Sequence, residues 1–364
     1  MNMKVVFRVD AAHHIGSGHV VRCITLAREL LRVLGAKVTF LCRDFEGNLI
    51  SFISSQGFEV KTLTYSFKEP QSDEQNEFLR ASYKDDAKAT IDLLSQDSSE
   101  IVDWIIVDHY GIDEKWEELL KPFCHNMMCI DDLNNRQHSC DLILDQNYTT
   151  LKPQRYSDSS AKKLIGPKYA LLRDEFKFLD VPEFSARDRK IMVFFGGVDI
   201  NNETLKALNG IVSLKLTDVR VDVILGQNNP HIAEIETYCH NRDKFDVHIQ
   251  VTDMAKRMTE SRLFVGAGGA TSLERACCGL PSIVTAIAPN QVESSESLAS
   301  IGLHHYLGVA ETLTSMDYAK AIQSLVSDDI RLLEMTESAL ELVDGQGVTR
   351  VVETMKRLSN ENRI

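Results

Sequence analysis

Short β-branched runs alternate with helical patterns along almost the whole chain, and this alternation limits the folds that the chain can adopt. Runs of strand length include "KVVFRV", "KVTFLC" and "WIIVDHY" in the first half, and "KIMVFFGG", "VRVDVILG" and "RLFVGAGG" in the second half. Segments such as "GHVVRCITLARELLRVLG" lie between them and repeat apolar residues at helical spacing. Such alternation predicts an α/β fold made of Rossmann-like, doubly wound parallel sheets with helices on both faces.

A charged segment interrupts this alternation near the middle of the 364-residue chain. Residues 174–190, "DEFKFLDVPEFSARDRK", contain Pro182 and resemble a linker. We therefore predict two domains, residues 1–180 and residues 181–364, that face each other across a cleft. Their ligands should bind beyond the carboxyl ends of the strands, so the candidate functional residues are those that follow strands.

The overall charge and the cysteines restrict the partners and the compartment. A formal net charge of -13 argues against nucleic acid or an anionic membrane as a partner. No apolar run reaches the ~18 residues of a membrane span, and the charged first ten residues do not fit a signal peptide. The eight cysteines form no C-x-x-C pair and suggest buried, reduced thiols. We expect a cytoplasmic protein with a small-molecule partner.

The stretch "HHIGSGHVVRC", residues 13–23, follows the first strand, which ends near Asp10. The helical pattern begins at Gly18, which places His19 in the first turn and Arg22 one turn later on the same face. The positive end of a helix disfavours imidazolium, so we expect His19 to be neutral and able to act as a general base. The candidate binding residues of this stretch are Asp10, Gly16, Ser17, Gly18 and Arg22.

Two other interpretations of this stretch compete with a catalytic site. In a dinucleotide fingerprint the strand turns directly into the glycines, whereas "AAHHI" separates Asp10 from Gly16 here, and Val21 stands where the third glycine belongs. In a purely structural interpretation, the glycines form a tight turn and His19 only lies at the start of a helix. The local sequence does not decide between the catalytic and the structural role.

Acidic and aromatic residues follow other strands of the first half. "WIIVDHYG" places Asp108 and Tyr110 beyond a buried strand, and we predict that Asp108 binds the substrate and that Tyr110 reaches it. For most acids at strand ends, including Asp131 and Asp132, turn and helix-cap duty is the more common role. No H-x-x-x-H or D-x-D spacing indicates a metal site.

Small residues follow the strands of the second half, where they would let a backbone approach a pyrophosphate. They lie in "FFGGVD" and "VGAGGATSLE", and "APNQVE" follows the next strand. Glu274 could contact ribose hydroxyls or could complete a capping box with Thr271. The candidate binding residues of this half are Gly196, Gly197, Gly268, Gly269, Ala270, Glu274, Asn290 and Gln291.

Taken in order, several segments resemble a family of bacterial nucleotide-sugar hydrolases of pseudaminic acid biosynthesis. They include "FRVDAAHHIGSGHVVRC", "VDHYGID", "DDLNNRQHSCDLILDQN", "LIGPKYALLRDEF" and "GAGGATSLERACCGLPSI", and the resemblance runs from about residue 3 to residue 310. It implies the two-domain GT-B fold of the glycosyltransferase that makes lipid II from lipid I. It also implies that the first domain acts on the sugar and on water, and that the second domain binds UDP.

The resemblance also implies roles for single residues. It makes His19 and Tyr110 catalytic, and it places Glu274 and Asn290 against UDP. The implied substrate is a UDP-linked diacetamido-trideoxyhexose, and the implied reaction is attack of water at the anomeric carbon with inversion, without a metal or cofactor. The alternatives are a glycosyltransferase of the same fold, a hydrolase of a related nucleotide-linked sugar, and a non-catalytic nucleotide-sugar-binding protein.

Overall fold

The computed structural model describes residues 3–64, 78–96, 101–149, 154–269 and 271–361. The chain divides into two compact α/β units. Unit 1 comprises residues 1–147, 151–173 and 346–364, and unit 2 comprises residues 148–150 and 174–345.

Unit 1 contains a parallel sheet of seven strands in the order β3-β2-β1-β4-β5-β6-β7. The strands are β1 (Lys4–Val9), β2 (Lys37–Arg43), β3 (Glu59–Leu63), β4 (Val102–Asp108), β5 (Cys124–Ile130), β6 (Leu142–Asp145) and β7 (Lys162–Ile165). The helices in the described part of unit 1 are α1 (Gly18–Leu34), α2 (Ile50–Ser55), α3 (Tyr83–Ser95), α4 (Glu114–Leu120) and a C-terminal helix, α12 (Gly347–Glu361).

The strand order reverses between β1 and β4, which are neighbours in the centre of the sheet. In their register Val9 pairs with Asp108, so the segments that follow both strands start at the same level. Doubly wound sheets bind ligands at this switch point, beyond the carboxyl ends of the strands. The strand order therefore brings the segment before α1 beside the segment after β4.

Helix α1 forms as the apolar spacing predicts. Its buried face includes Val20, Ile24 and Leu30, which pack into the same core as the stacked rings of Phe7 and Phe40. The helix ends at Gly35, whose φ of 60° is a left-handed conformation that glycine adopts without strain.

Helix α12 packs in unit 1, although the sequence places all of residues 181–364 in a second domain. The indole of Trp104 on β4 donates a 2.7 Å hydrogen bond to the hydroxyl of Ser359, and Thr349 donates to Glu29 of α1 at 3.0 Å. Val351 and Met355 are fully buried in the core of unit 1. The predicted boundary is wrong for this helix because its apolar face is buried against unit 1.

Unit 2 contains a parallel sheet of six strands in the order β10-β9-β8-β11-β12-β13. The strands are β8 (Asp188–Phe194), β9 (Arg220–Leu225), β10 (Phe245–Ile249), β11 (Ser261–Ala267), β12 (Ser282–Ala286) and β13 (His305–Val309). The helices are α5 (Glu203–Ser213), α6 (Ile232–His240), α7 (Met254–Glu260), α8 (Thr271–Cys277), α9 (Val292–Ser300), α10 (Ser315–Leu325) and α11 (Asp329–Leu342). The switch point lies between β8 and β11, so Gly196 and Gly268 follow neighbouring strands.

The sequence pattern misses two edge strands and one helix. Strands β7 and β13 are short and only partly buried, and α6 is also absent from the predicted elements. The polar segment "EQNEFLRASYKDDAKATIDLLSQ", residues 74–96, predicts one helix, but α3 starts only at Tyr83, and residues 74–77 lie outside the described part. In the predicted linker, Phe176 and Phe184 are buried, and β8 already begins at Asp188.

All eight cysteines are free thiols, and seven of them are buried. Within the described residues, no helix combines the length and the apolar character that a membrane span requires.

Candidate functional site

His19 and Asp108 meet at the switch point of unit 1. Nδ1 of His19 lies 2.6 Å from Oδ1 of Asp108, and His19 is in the first turn of α1 as the sequence predicts. An ionised carboxylate only accepts hydrogen bonds, so Nδ1 carries the proton. Nε2 of His19 takes no hydrogen bond from any residue that the structure describes. The ring is oriented from one side and its other nitrogen can accept a proton.

Arg22 holds the same carboxylate from the next turn of α1. Its Nε and Nη2 atoms lie 2.6 Å from the two oxygens of Asp108, and its Nη1 lies 2.9 Å from Asp132. Burial raises the pKa of Asp108, but the charges and hydrogen bonds of Arg22 and His19 outweigh burial and hold it below its ordinary value. Asp108 is 1% exposed and both of its oxygens are held, so it orients His19 and Arg22, and its contact with substrate stays a prediction.

Tyr110 lies against the imidazole of His19. The two ring centroids are 4.5 Å apart and the rings are nearly perpendicular. Burial, together with the carboxylate of Asp132, raises the pKa of Tyr110 well above its ordinary value. The phenol therefore stays protonated near neutral pH and can donate a hydrogen bond.

Asp132 is a functional candidate that the sequence analysis assigned to turn or cap duty. Its neighbour Asp131 has that duty, because it accepts hydrogen bonds from the backbone N–H groups of Leu133 and Asn134. Asp132 instead faces Arg22 and Tyr110, and its Oδ1 is buried without a hydrogen-bond partner among the described residues. The sequence feature that could have indicated Asp132 is Arg22, because an arginine on the His19 face of α1 needs acidic partners.

Asp10 belongs to a buried charge network behind this site. It is 0% exposed, and its carboxylate lies 2.7 Å from Arg8, 3.2 Å from His109 and 2.7 Å from the backbone N of Arg43. Burial opposes the ionisation of Asp10, but Arg8 and His109 lower its pKa. Asp10 is thus a buried carboxylate held by charged partners, and its contact with substrate stays a prediction.

The turn before α1 leaves space for a ligand. Gly16 has a φ of 87°, and a Cβ added at Gly16 or Gly18 would meet no atom within 4 Å. The side chain of Ser17 makes no cap hydrogen bond, and no acidic residue lies in the first turn of α1. Uncapped N–H groups at a helix start attract polar or anionic ligand groups.

In unit 2, Gly268 and Gly269 follow β11 and lie next to residues that follow β12. A Cβ at Gly268 would collide with the hydroxyl of Ser295, and a Cβ at Gly269 would lie 3.3 Å from Nε2 of Gln291. Gln291 also accepts a 3.0 Å hydrogen bond from the backbone N of Ile287, whereas Asn290 is exposed. Ala270, which the sequence places in this loop, lies outside the described residues.

Gly196 and Gly197 follow β8, and no atom lies within 4 Å of an added Cβ at either position. The nearby start of α5 is already occupied by acceptors. Asp199 accepts hydrogen bonds from the backbone N–H groups of Glu203 and Thr204 at 2.8 and 2.9 Å, and Asn202 is the N-cap. An anion would therefore meet a carboxylate at this helix start.

The capping box predicted for Thr271 and Glu274 does not form in the predicted way. Helix α8 already includes Thr271, whose hydroxyl accepts a 3.0 Å hydrogen bond from Arg275. Glu274 is half-buried in the first turn of α8. The contact between Glu274 and a ribose stays a prediction, as does that of Asn290 with UDP.

One group of side chains in the described residues has the spacing of metal ligands. The ligand atoms of Glu117, Cys129 and His138 lie within 4.8 Å of one another. Glu117 accepts hydrogen bonds from Nδ1 of His138 at 2.6 Å and from the thiol of Cys129 at 3.1 Å. These hydrogen bonds account for the cluster, because each occupies an atom that a metal would need.

Three proteins are similar to this chain in sequence, although no family model matches it. A UDP-2,4-diacetamido-2,4,6-trideoxy-β-L-altropyranose hydrolase of Campylobacter jejuni is 25% identical over 266 residues, 72% of this chain and 84% of the hydrolase. The spore coat polysaccharide biosynthesis protein SpsG of Bacillus subtilis is 22% identical over 98% of both chains. The uncharacterised protein MJ1062 of Methanocaldococcus jannaschii is 26% identical over 78% of this chain, which spans only 55% of that protein.

Solved structures with similar folds include glycosyltransferases. MurG of Acinetobacter baumannii superposes with a TM-score of 0.68 at 16% identity and covers 98% of this chain and 99% of its own. LpCGTa in complex with UDP has a TM-score of 0.66 at 12% identity and covers 98% of this chain and 99% of its own. The chain has the GT-B fold.

The candidate residues of this GT-B protein form one group in each unit. In unit 1, His19 lies in the helix after β1, Tyr110 follows β4 and Asp132 follows β5. Gly268, Gly269 and Gln291 follow β11 and β12 of unit 2. Both groups lie at the carboxyl ends of strands, which is where ligands of doubly wound sheets bind.

Proposed function

We propose that the protein is a UDP-sugar hydrolase that releases UDP and free 2,4-diacetamido-2,4,6-trideoxy-L-altrose. The similarity to the Campylobacter hydrolase supports this substrate. The observation that carries the proposal is the His19 imidazole, whose Nδ1 is held by Asp108 while Nε2 takes no hydrogen bond from the described residues. This is the arrangement of a general base with its orienting carboxylate.

In the reaction, Nε2 of His19 takes a proton from a water molecule. The water oxygen forms a bond to the anomeric carbon as the bond from that carbon to the UDP oxygen breaks, and UDP leaves with the electron pair. Attack from the opposite face inverts the configuration. Asp108 stabilises the imidazolium that forms, and Arg22 fixes Asp108 in place. General-base catalysis of this kind contributes about 10²–10⁴-fold in rate.

Tyr110 positions the sugar or the attacking water by donating its phenolic proton as a hydrogen bond. Its protonated state follows from its raised pKa, and its contact with the His19 ring limits the rotation of both side chains. Gly16, Ser17 and Gly18 offer backbone groups in the open turn on the same side of α1.

Unit 2 binds the UDP part of the substrate. Gly268 and Gly269 bring their backbone toward the diphosphate, and Gln291 lies beside Gly269. Ala270 follows them in the sequence, and its contact with the diphosphate stays a prediction. Gly196 and Gly197 line the end of the neighbouring strand β8. Glu274 accepts hydrogen bonds from the ribose hydroxyls, and Asn290 contacts the nucleotide. The protein itself stabilises the departing diphosphate, so we expect activity to persist in EDTA.

This activity would be a cytoplasmic step of pseudaminic acid biosynthesis, which supplies a sugar for bacterial surface glycans. The name of the Bacillus relative, a spore coat polysaccharide biosynthesis protein, is consistent with a role in surface glycans.

A glycosyltransferase activity is the second candidate, and the structural similarity to MurG favours it. The same His19 would then deprotonate a sugar or lipid hydroxyl instead of water. UDP release in the absence of any acceptor distinguishes the two activities.

The test is incubation with UDP-2,4-diacetamido-2,4,6-trideoxy-β-L-altropyranose in 18O-labelled water without acceptor. We expect UDP release and the label at the anomeric carbon of the sugar. Label in the phosphate of UDP would contradict C–O cleavage, and no release would contradict hydrolysis. UDP-N-acetylglucosamine and the CDP- and GDP-linked forms of the same sugar test the specificity for sugar and nucleotide.

A further inference from the structure

Arg275 lies beneath the loop that contains Gly268 and Gly269 in unit 2. It is 2% exposed and stacks on the ring of Phe264, with its guanidinium carbon 4.3 Å from the ring centroid. Its Nη1 donates to the carbonyl of Ala267 at 3.1 Å and to the hydroxyl of Thr271 at 3.0 Å, and its Nη2 donates to the hydroxyl of Ser272 at 3.1 Å. Arg275 therefore holds the residues on both sides of the loop.

The positive charge of Arg275 has no counter-charge within ion-pair distance in the described part of the chain. All of its hydrogen-bond acceptors are neutral oxygens. Burial lowers the pKa of Arg275 to about 9, although the charge of Glu274 acts in the opposite direction. Burial and the charge of Arg275 lower the pKa of His304 to about 3. A buried cation without a paired anion is destabilising, so an anion that binds nearby would be favoured.

A second buried arginine of unit 2 shows what a purely structural role looks like. Arg187 is 4% exposed and donates to the carbonyls of Cys278 and Gly279 at 3.1 and 2.8 Å. These carbonyls follow the last turn of α8, where the helix dipole favours a cation. Arg187 directly precedes β8 and thus lies at the amino edge of the sheet, whereas Gly268 and Gly269 lie at the carboxyl edge.

We propose that Arg275 is a positioning residue for the diphosphate of the nucleotide sugar: it holds the Gly268–Gly269 loop and supplies a buried positive charge that the diphosphate neutralises. This rests on the proposed binding of UDP by unit 2. The charge acts on phosphate groups, so its contribution to affinity should increase from uridine to UMP to UDP. A role in shaping the loop alone would weaken UDP binding in Arg275→Lys as much as in the neutral variants, because lysine cannot make the same three hydrogen bonds.

The experiment measures the binding of uridine, UMP and UDP by calorimetry to the wild type and to Arg275→Met, Arg275→Gln, Arg275→Lys and Arg187→Met. We expect both neutral Arg275 variants to weaken UDP binding about tenfold or more, while uridine binding changes less than about twofold. Arg275→Lys retains the charge and should keep UDP binding within about threefold. Arg187→Met should retain wild-type affinity for all three ligands.

The outcomes separate this inference from the proposed function. A wild type that binds no UDP contradicts the proposed function and the inference with it. A wild type that binds UDP, with neutral variants that lose uridine and UDP affinity equally or lose neither, overturns only the role of Arg275. If both neutral variants fail to fold, inorganic pyrophosphate is the probe for Arg275→Lys: retained binding supports the charge role, and lost binding overturns it.

Discussion

Nδ1 of His19 and Oδ1 of Asp108 are 2.6 Å apart, although 89 residues separate them in the chain. The position of His19 at a helix start predicts a neutral ring, and the structure adds a carboxylate that would stabilise an imidazolium. In the proposed reaction this pair prepares His19 for accepting a proton at Nε2. Arg22 holds Asp108 through both of its oxygens, which fixes the direction of the ring.

Replacing His19 with alanine should remove the general base without changing the UDP site. We expect kcat to fall by about 10²–10⁴-fold, since this is the usual contribution of such a base. The affinity for UDP, measured by calorimetry, should stay at the wild-type value. An equal loss of UDP affinity and kcat would show instead that His19 binds the substrate.

Asp108→Asn should lower kcat nearly as much as the loss of His19. An asparagine can turn its N–H₂ group toward Nδ1, which leaves the proton on Nε2 and removes the base. The measurement is kcat and KM across pH, with the exposed Asp158→Asn as the control. Wild-type turnover in a folded Asp108→Asn protein would exclude Asp108 from orienting His19.

Tyr110→Phe and Asp132→Asn test whether these two residues act as one unit. Asp132 faces the phenol of Tyr110 and binds Arg22, so we expect each change to lower kcat about tenfold. The double variant should be little worse than either single variant, because coupled residues are not additive. Additive losses would mean that Asp132 acts independently of Tyr110, and Tyr83→Phe is the control.

His138 should make the stability of unit 1 depend on pH. Burial lowers its pKa, but hydrogen bonds to Asp131 and Glu117 outweigh burial and raise it from 6.5 to about 9. The folded state then binds more protons than the unfolded state between these values. The stabilisation is complete below pH 6.5 and is lost as pH rises through about 9, with a decrease of up to about 3 kcal/mol.

Tryptophan fluorescence can follow this loss, because both tryptophans of the chain, Trp104 and Trp116, are buried in unit 1. Denaturant unfolding at several pH values should show the decrease in wild type and in the control His125→Asn, whose side chain is exposed. The His138→Gln protein should be less stable and should lack this decrease. The same slope in His138→Gln would assign the pH dependence to another group.

Helix α12 should be required for the stability of unit 1. Met355 is fully buried in the core of unit 1, so Met355→Ala should lower the free energy of unfolding by about 2–5 kcal/mol. Lys356→Ala, which changes the exposed face of the same helix, should alter it by less than about 0.5 kcal/mol. Fluorescence-monitored denaturation measures both, and equal effects would contradict the packing of α12 in unit 1.

The candidate site was only partly accessible from the sequence. Local pattern placed His19 in the first turn of a helix and Tyr110 after a strand, and both positions are found in the structure. Asp10 and Asp108 were predicted to bind substrate because they end strands, but both are enclosed by charged partners. The position of a residue at a strand end indicates that it lies near the predicted ligand site. The burial of its side chain decides whether it can reach a ligand.

The sequence by itself determined the alternation of strands and helices, the turn before α1 and the helical phase of His19, because these depend on residues close together in the chain. Only the tertiary structure decided that β1 lies beside β4, which brings Asp108 to His19, that Asp132 reaches Arg22, and that α12 packs in unit 1. Strand order and helix packing depend on burying apolar surface between distant segments. Local periodicity indicates which face of a helix or strand is apolar, but it does not indicate which element packs against that face.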